Sequence, residues 1–259
     1  MGNGEGLHRV CIGLTPVQSQ PSSNSMCTNE ALYGEMVQVL TSGNGWARVR
    51  QLHDGYEGYI DSDHLHRIGP TAGTTNTHWV GQRSTLLFDK PDIKSRVVHR
   101  IPFAAELALV EQVNDSFSLT ACNHYVWTSH CLSLSVNYPA GPLELARTHF
   151  LGAPYRWGGR SPEGLDCSGL IQMLARTQGH SIPRDSGDQE RALDLSVHIS
   201  DCQVLDLMYW PGHAGILVSP ESLLHATAHS LDCRIEPLRE VIARAGPASS
   251  VKRLFSNSS

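Results

Sequence analysis

Residues 34–65 and 104–132 repeat one pattern of hydrophobic and polar positions. Each segment begins with an alternating run, passes through a turn of Gly, Asn or Asp, and continues at an aromatic residue, Trp46 or Phe117. Alternation over short runs bounded by turn residues is typical of β-strands, and several such runs in succession indicate a small barrel. The first half of the chain is therefore predicted to be a duplicated small β-barrel.

The segment that joins the two repeats, residues 67–77, is polar and rich in Gly, Pro and Thr, which is typical of a linker. A second change follows the sequence VNYPAGP, where helical spacing replaces alternation. These boundaries predict one barrel at residues 1–68, a second barrel at residues 75–136 and a third domain at residues 143–256.

The third domain has helical spacing at residues 143–150 and again after Cys167, where Gly179 is a suitable stop. Three strand-like runs follow, and a last short helix is predicted to end at Gly246. A helix followed by strands within one compact unit is typical of an α+β domain.

Cys167 lies at the predicted start of the second helix, between Asp166 and Ser168. Either neighbour can cap the helix, and the unpaired N–H groups and the helix dipole there favour an anion. Such a position is expected to lower the pKa of a thiol below about 8.5 and to increase the thiolate fraction, which is the reactive form. The residue types therefore predict a cysteine nucleophile.

A thiol nucleophile needs a base and a group that orients the base, and two histidines are suitable. His213 opens one strand-like run and His225 lies in the next, with the turn SPES between them. If Leu217 faces Glu221 across this hairpin, the two imidazoles are direct cross-strand neighbours on one face. A shift of one residue would place them on opposite faces.

Composition and charge exclude several other classes of protein. The 259-residue chain is 40% hydrophobic and 17% charged, with a formal net charge of −5 and no basic run, so no nucleic-acid partner is expected. No apolar stretch approaches the ~18 residues that span a bilayer, so no membrane partner is expected. The first ten residues lack the pattern of a secretory signal, which predicts a cytoplasmic protein. Seven cysteines without a CxxC pair and 14 histidines without ligand spacing predict neither a disulfide framework nor a metal site.

Several of these motifs together resemble a known family. DCSG after YRWGGR, followed by PRDSGDQ, GHAGI and LLHA, resembles the NlpC-type papain-like cysteine peptidases of bacterial cell-wall metabolism, over about residues 143–255. The upstream doublet is similar to the bacterial SH3-like domains that often precede this catalytic domain. The resemblance implies an α+β papain-like domain preceded by two small all-β SH3-like barrels. It also implies Cys167 as nucleophile, His213 as base and His225 as the orienting third residue.

The same resemblance implies an activity. Such enzymes are cysteine endopeptidases, hydrolases that need no cofactor and cleave the γ-D-glutamyl bond to a diamino acid in peptidoglycan stem peptides. Members with two barrels and no leader look like recycling enzymes for free stem peptides with an unblocked L-Ala. In such members acidic and tyrosine groups hold the substrate ammonium, and the matching residues here are Asp166, Glu35 and Tyr56. Tyr155 and Ser168 match substrate-binding positions beside the nucleophile.

Two alternatives remain open on this scaffold. One is a non-catalytic peptidoglycan-binding protein, against which the intact set of Cys167, His213 and His225 argues. The other is an amidase or acyltransferase acting on other amides or lipids. An aromatic content of 7% and the lack of an amphipathic basic helix argue against lipid substrates. Arg184 and Asp185 are expected to pair structurally and to take no part in catalysis.

Overall fold

The computed structural model describes residues 6–69, 75–136 and 138–255. The chain divides into two compact units, residues 1–138 and residues 139–259. Parts of the predicted domains and linker, namely residues 1–5, 70–74 and 256, lie outside the described residues. The predicted domain boundaries themselves stay predictions.

The first barrel is built from short antiparallel strands with a 3-10 turn at Ser62–His64. The strands are β1 (Gly6–Val10), β2 (Leu14–Gln18), β3 (Cys27–Leu32), β4 (Met36–Gly43), β5 (Trp46–Gln51), β6 (Glu57–Asp61) and β7 (Leu65–Arg67). They pair in the order β3-β2-β6-β5-β4-β1-β7. Alternation places Val37 and Val39 of β4 and Ala47 and Val49 of β5 in one buried cluster, which forms the barrel core.

The second barrel repeats this plan with a 3-10 turn at Thr128–His130. Its strands are β8 (His78–Val80), β9 (Ser84–Phe88), β10 (Val97–Pro102), β11 (Glu106–Leu107), β12 (Leu109–Gln112), β13 (Phe117–Thr120), β14 (Tyr125–Trp127) and β15 (Cys131–Ser133). They form sheets in the orders β10-β9-β14-β13-β12 and β11-β8-β15. The predicted pair of all-β barrels is confirmed.

The two barrels contact each other through the turn that follows β3. Tyr33 of this turn is 3% exposed and belongs to the hydrophobic cluster of the second barrel. The amide of Glu106 in β11 donates a hydrogen bond of 2.9 Å to the carbonyl oxygen of Tyr33. Gly34 has a φ of +83°, and a Cβ there would lie 1.9 Å from the carbonyl oxygen of Glu106. Only glycine fits this close approach.

The C-terminal unit combines helices with one main antiparallel sheet. Its helices are α1 (Pro142–Leu145, continued by a π-helical turn at Ala146–Phe150), α2 (Cys167–Thr177), α3 (Ser186–Ala192) and α4 (Leu238–Ala245). Its strands are β16 (Arg160–Ser161), β17 (Gly164–Leu165), β18 (Leu207–Trp210), β19 (His213–Ser219), β20 (Ser222–Thr227), β21 (Asp232–Pro237) and β22 (Ser250–Lys252). The main sheet has the order β21-β20-β19-β18-β22, and the predicted α+β class is confirmed.

Two helices of this unit, α2 and α4, end where the sequence predicts. Gly179 follows the end of α2 with a φ of +80°, and Gly246 follows α4 with a φ of +81°. Both glycines have a positive φ, which favours glycine over other residues. α2 packs against β19 and β20, and its side chains from Cys167 to Ala175 are buried. Within the described residues, no helix has the length and apolar character that a membrane span requires.

Candidate active site

Asp166 fixes the start of α2 and with it the position of Cys167. The Oδ1 atom of Asp166 accepts a hydrogen bond of 2.7 Å from the amide of Gly169, which makes Asp166 the N-cap. A Cβ at Gly169 would lie 2.3 Å from the carbonyl oxygen of Gly159, so glycine lets the helix start approach the preceding turn. Cys167 is the first residue of the helix and is 5% exposed.

The thiol of Cys167 lies against the main chain on both sides of His213. Its Sγ atom is 3.9 Å from the carbonyl oxygen of Gly212, and the amide of Ala214 interacts with the sulfur. Burial raises the pKa of this thiol to about 11, helped by the negative charge of Asp166, and outweighs the amides of Ala214 and Ser168. The predicted net lowering of the thiol pKa is therefore wrong, although the amide of Ser168 at the helix start acts in the predicted direction.

His213 and His225 are in direct contact. The Nε2 atom of His213 lies 2.8 Å from the Nδ1 atom of His225, and the ring centroids are 5.0 Å apart. His225 is fully buried, whereas His213 is partly exposed. Trp210, which pairs with His213 across the β18–β19 hairpin, places its ring 5.9 Å from that of His213. The structure thus brings the three predicted catalytic residues into one region of the C-terminal unit.

The register that brings the two histidines together differs from the predicted one. Leu217 pairs with Leu223, not with Glu221, so the prediction is wrong by two residues. The pairing shifts between Leu217 and Ser219, and Ser219 pairs with Ser222, which leaves a tight turn of two residues. A shift of two keeps side chains on the same face, so His213 and His225 meet along a diagonal of the sheet.

Glu236 on β21 contacts His225, and this contact was not predicted from the sequence. Its Oε1 atom lies 3.0 Å from the Nε2 atom of His225, although the N–H direction is not aligned for a linear hydrogen bond. Arg244 of α4 forms an ion pair with the same Oε1 atom. The sequence contained only a weak signal for a role of Glu236. It is a charged residue two positions after Arg234, and no strand was predicted in this segment.

Burial and neighbouring charges set the protonation of this group. Burial lowers the pKa of His213 to about 4, helped by the neighbouring imidazole of His225 and by the positive charge of Arg244. Burial also lowers the pKa of His225 against the opposing charge of Glu236. Burial acts to raise the pKa of Glu236, but Arg244 and His225 together lower it. Near neutral pH the two imidazoles are therefore neutral and Glu236 is a carboxylate.

Asp166 carries a second, structural set of contacts. Arg184 binds it bidentately, with Nη1 at 2.9 Å from Oδ1 and Nη2 at 2.7 Å from Oδ2. The amide of Gly158 donates to Oδ2 at 2.8 Å, and the hydroxyl of Ser168 donates to Oδ1 at 3.3 Å. Arg184 therefore braces the start of α2 through Asp166, and it also interacts electrostatically with its neighbour Asp185. The predicted role of Asp166 toward a substrate ammonium stays a prediction.

The two other predicted positions beside the nucleophile differ in their surroundings. Ser168 is buried and accepts a hydrogen bond of 2.9 Å from Nη1 of Arg184, so its hydroxyl belongs to the same cluster. Tyr155 is half-buried, and burial raises its pKa to about 12, helped by the neighbouring Cys167 and by the negative charge of Asp166. The phenol is therefore a neutral donor close to the thiol.

Glu35 and Tyr56 belong to the first barrel. Glu35 is 1% exposed, and its Oε2 atom accepts a hydrogen bond of 3.0 Å from the amide of Leu32. The Nε2 atom of Gln51 lies 3.5 Å from the same oxygen, and the amide of Gln51 donates to the carbonyl oxygen of Tyr56 at 2.9 Å. Gln51 therefore links the two predicted ligands within this barrel, and their role toward substrate stays a prediction.

No described group of three or more His, Cys, Asp or Glu side chains could hold a metal ion. The chemistry of the described site rests on a thiol at a helix start, an imidazole pair and a carboxylate. An α+β domain with this set of groups is of the papain-like cysteine hydrolase class.

Comparisons with known proteins agree with this class. Residues 152–245 match the NlpC/P60 family, and residues 18–65 match the bacterial dipeptidyl-peptidase Sh3 domain. A gamma-D-glutamyl-L-lysine dipeptidyl-peptidase of Bacillus subtilis (strain 168) is 26% identical, covering 90% of this chain and 83% of that protein. Dipeptidyl-peptidase 6 of Lysinibacillus sphaericus is also 26% identical, covering 89% of this chain and 91% of that protein.

A solved structure has the same fold over nearly the whole chain. The crystal structure of an NlpC/P60 family protein from Bacillus cereus ATCC 10987 superposes with a TM-score of 0.83 at 19% identity, covering 97% of this chain and 100% of that one. The chain therefore contains an NlpC/P60 cysteine peptidase domain, preceded by a bacterial dipeptidyl-peptidase SH3 domain. It is a hydrolase.

Proposed function

We propose that this hydrolase cleaves the γ-D-glutamyl–diamino acid amide bond of peptidoglycan stem peptides. The preferred substrates are free peptides with an unblocked N-terminal L-Ala, which is a role in cell-wall recycling within the cytoplasm. The observation that carries the proposal is the thiol of Cys167, held against the main chain beside His213. Full-length similarity to a relative named gamma-D-glutamyl-L-lysine dipeptidyl-peptidase supports the substrate class.

The proposed reaction is acyl transfer through a thioester. His213 takes the proton of Cys167 as the sulfur attacks the γ-glutamyl carbonyl carbon, and backbone N–H groups at the start of α2 stabilise the oxyanion. The C–N bond then breaks, and His213 returns the proton to the amine of the leaving diamino acid. Water, deprotonated by His213, hydrolyses the thioester and restores the thiol. His225 orients His213 throughout.

We assign the specificity for free peptides to side chains that would bind the ammonium group of L-Ala. A desolvated ammonium requires anionic or strong hydrogen-bond acceptors to offset its lost hydration. Glu35 and Tyr56 are the proposed acceptors from the first barrel, and Asp166 is the proposed acidic group beside the nucleophile. Tyr155 is the proposed donor near the scissile bond.

Mass spectrometry of L-Ala-γ-D-Glu-diaminopimelate cleavage tests the proposal. The free peptide and an N-acetylated copy are incubated with wild type, with Cys167→Ala and with Cys202→Ala as a control thiol outside the site. Wild type and Cys202→Ala should release L-Ala-D-Glu from the free peptide only, while Cys167→Ala should lose about 10⁴-fold or more in rate. Cleavage of both peptides would remove the roles given to Glu35, Tyr56 and Asp166. Folded wild type that retains peptidoglycan but cleaves neither peptide would indicate a binding protein.

Thiol alkylation tests the protonation state that this mechanism starts from. The pKa of Cys167 is raised and that of His213 is lowered, so the resting pair is neutral and the thiolate fraction grows with pH. The rate of Cys167 alkylation by iodoacetamide should rise about tenfold per pH unit between about pH 6 and 9. A fast rate that does not change over this range would contradict the neutral pair and indicate a thiolate–imidazolium pair.

A further inference from the structure

Glu236 lies at the end of a line of three side chains on one face of the main sheet. Leu223 pairs with Leu217 of β19 and with Glu236 of β21, and side chains two residues apart share a face. His213, His225 and Glu236 therefore follow a diagonal across three neighbouring strands. The same face packs against α4, since Leu217 and Leu223 share a buried cluster with Val241.

The two contacts of His225 fix where its proton resides. A carboxylate has acceptors only, so the Nε2 atom that faces Glu236 at 3.0 Å must carry the hydrogen. A neutral imidazole has a single N–H, which leaves Nδ1 of His225 as an acceptor. The Nε2 atom of His213, 2.8 Å from that acceptor, must then be the donor. Its own Nδ1 is left without a hydrogen.

The remaining nitrogen of His213 is the one suited to take the thiol proton. Nδ1 is the ring nitrogen closer to the residue's own main chain, and the thiol of Cys167 lies against the main chain of Gly212 and Ala214 on either side. We infer that Glu236 is a positioning residue, which fixes the tautomers of His225 and His213 so that Nδ1 of His213 is free to act as base. The inference relies on the proposed function only for its activity readout.

The charges around His225 favour this arrangement. Arg244 of α4 donates to the same carboxylate oxygen of Glu236 and so holds that oxygen in place. Arg234, the direct cross-strand partner of His225, is paired bidentately with Asp232. His225 itself is fully buried, and an unpaired charge there would be costly.

Long-range ¹H–¹⁵N NMR of the imidazole nitrogens tests the tautomers without any substrate. Wild type at neutral pH should show His213 and His225 both protonated at Nε2. Glu236→Leu removes the acceptor, and both rings should shift toward protonation at Nδ1. Glu236→Gln keeps an oxygen acceptor where Arg244 donates, so it should retain the wild-type tautomers.

Cleavage of the free stem peptide should rank the variants in the same order as their histidine tautomers do. Glu236→Leu should lower kcat about 10- to 100-fold with little change in KM, because substrate contacts remain while the base holds its proton on the wrong nitrogen. Glu236→Gln should restore most of the loss. Glu240→Gln, which removes an exposed carboxylate from α4, should behave as wild type.

The outcomes separate this inference from the proposed function. Tautomers that change only in Glu236→Leu support the positioning role, even if the peptide is not a substrate. Peptide cleavage with unchanged tautomers in Glu236→Leu would overturn the role while the proposed function stands. If Glu236→Leu does not fold, wild-type histidines protonated at Nδ1 would overturn the inference by themselves.

Discussion

In the first barrel the turn after β3 carries Tyr33, Gly34 and Glu35, and in the second barrel the turn after β10 carries Phe103, Ala104 and Ala105. The backbone is the same in both. Glu35 donates its amide to the carbonyl oxygen of Leu32 at 3.0 Å, and Ala105 donates to Pro102 at 3.2 Å. Gly34 and Ala104 both lie in the left-handed region, with φ of +83° and +61°.

The side chains of these turns have different partners. Tyr33 packs into the second barrel, whereas the ring of Phe103 packs edge-on against Tyr138 at 5.6 Å. Glu35 adds a carboxylate that Ala105 lacks. The two turns therefore share their backbone hydrogen bond, while the close contact at Gly34 and the buried carboxyl group of Glu35 are features of the first turn. Substitutions that make one turn more like the other test this difference.

Gly34→Ala should have the largest effect on stability. It makes the first turn resemble the second at this position, but the new Cβ would lie 1.9 Å from the carbonyl oxygen of Glu106, a backbone atom that cannot move alone. The alanine would also be strained in the left-handed conformation. From the clash and the strain together we expect a loss of about 3 kcal/mol or more in the free energy of unfolding, measured by urea denaturation. A loss below about 1 kcal/mol would mean that the turns are interchangeable.

Glu35→Ala gives the first turn the alanine that the second turn has at the equivalent position, Ala105. The amide of Leu32 loses its side-chain acceptor in a buried site, so we expect a destabilisation of about 1 to 3 kcal/mol. Glu111→Ala, which removes an exposed carboxylate from β12, is the control and should stay within about 0.5 kcal/mol. If Glu35 also receives the substrate ammonium, KM for the free peptide should rise. An unchanged KM would limit Glu35 to a structural role.

Thr15→Val and Thr85→Val examine a contact that the barrels share. Thr15 bonds to Nδ1 of His64 at 2.8 Å, and Thr85 bonds to Nδ1 of His130 at 2.8 Å. Each substitution should lower the free energy of unfolding by about 1 kcal/mol, because one nearly buried hydrogen bond is lost. Strongly unequal losses, measured in the same urea titrations, would show that the repeats differ here as well.

Ala104→Gly should have the smallest effect and the opposite sign. A left-handed alanine costs about 1 to 2 kcal/mol, and the added freedom of glycine in the unfolded chain offsets part of the relief. We expect a gain of about 0.5 kcal/mol in thermal or urea unfolding. A loss would mean that the methyl group of Ala104, which is 1% exposed, contributes more by packing than it costs in strain.

Local chemistry made much of the fold predictable. Asp166 as a helix cap and Gly179 and Gly246 as helix stops act on neighbouring residues, so their effect is visible in sequence. The register of the β19–β20 hairpin was not predicted correctly, because the pairing shifts between Leu217 and Ser219. Because the error in register was two residues, each histidine lies on the predicted face of the sheet. His213 and His225 are therefore in contact as predicted.

The parts of the site that depend on distant residues were not predictable. The pKa of Cys167 follows from how deeply α2 is buried, which a motif around the cysteine does not reveal. Glu236 reaches His225 because β21 pairs with β20, and no strand was predicted there. Arg184 binds Asp166, 18 positions earlier, because the helix start offers a buried carboxylate with a bidentate geometry.

Tyr33 has a consequence for how the N-terminal unit folds and evolves. The residue is encoded in the first repeat but fills the core of the second. The second barrel therefore cannot complete its interior until the first has formed its turn, so the two should unfold in a single cooperative transition. Recombination that exchanged one repeat alone would leave a hole or a clash at this aromatic ring, and the pair is expected to be inherited as one unit.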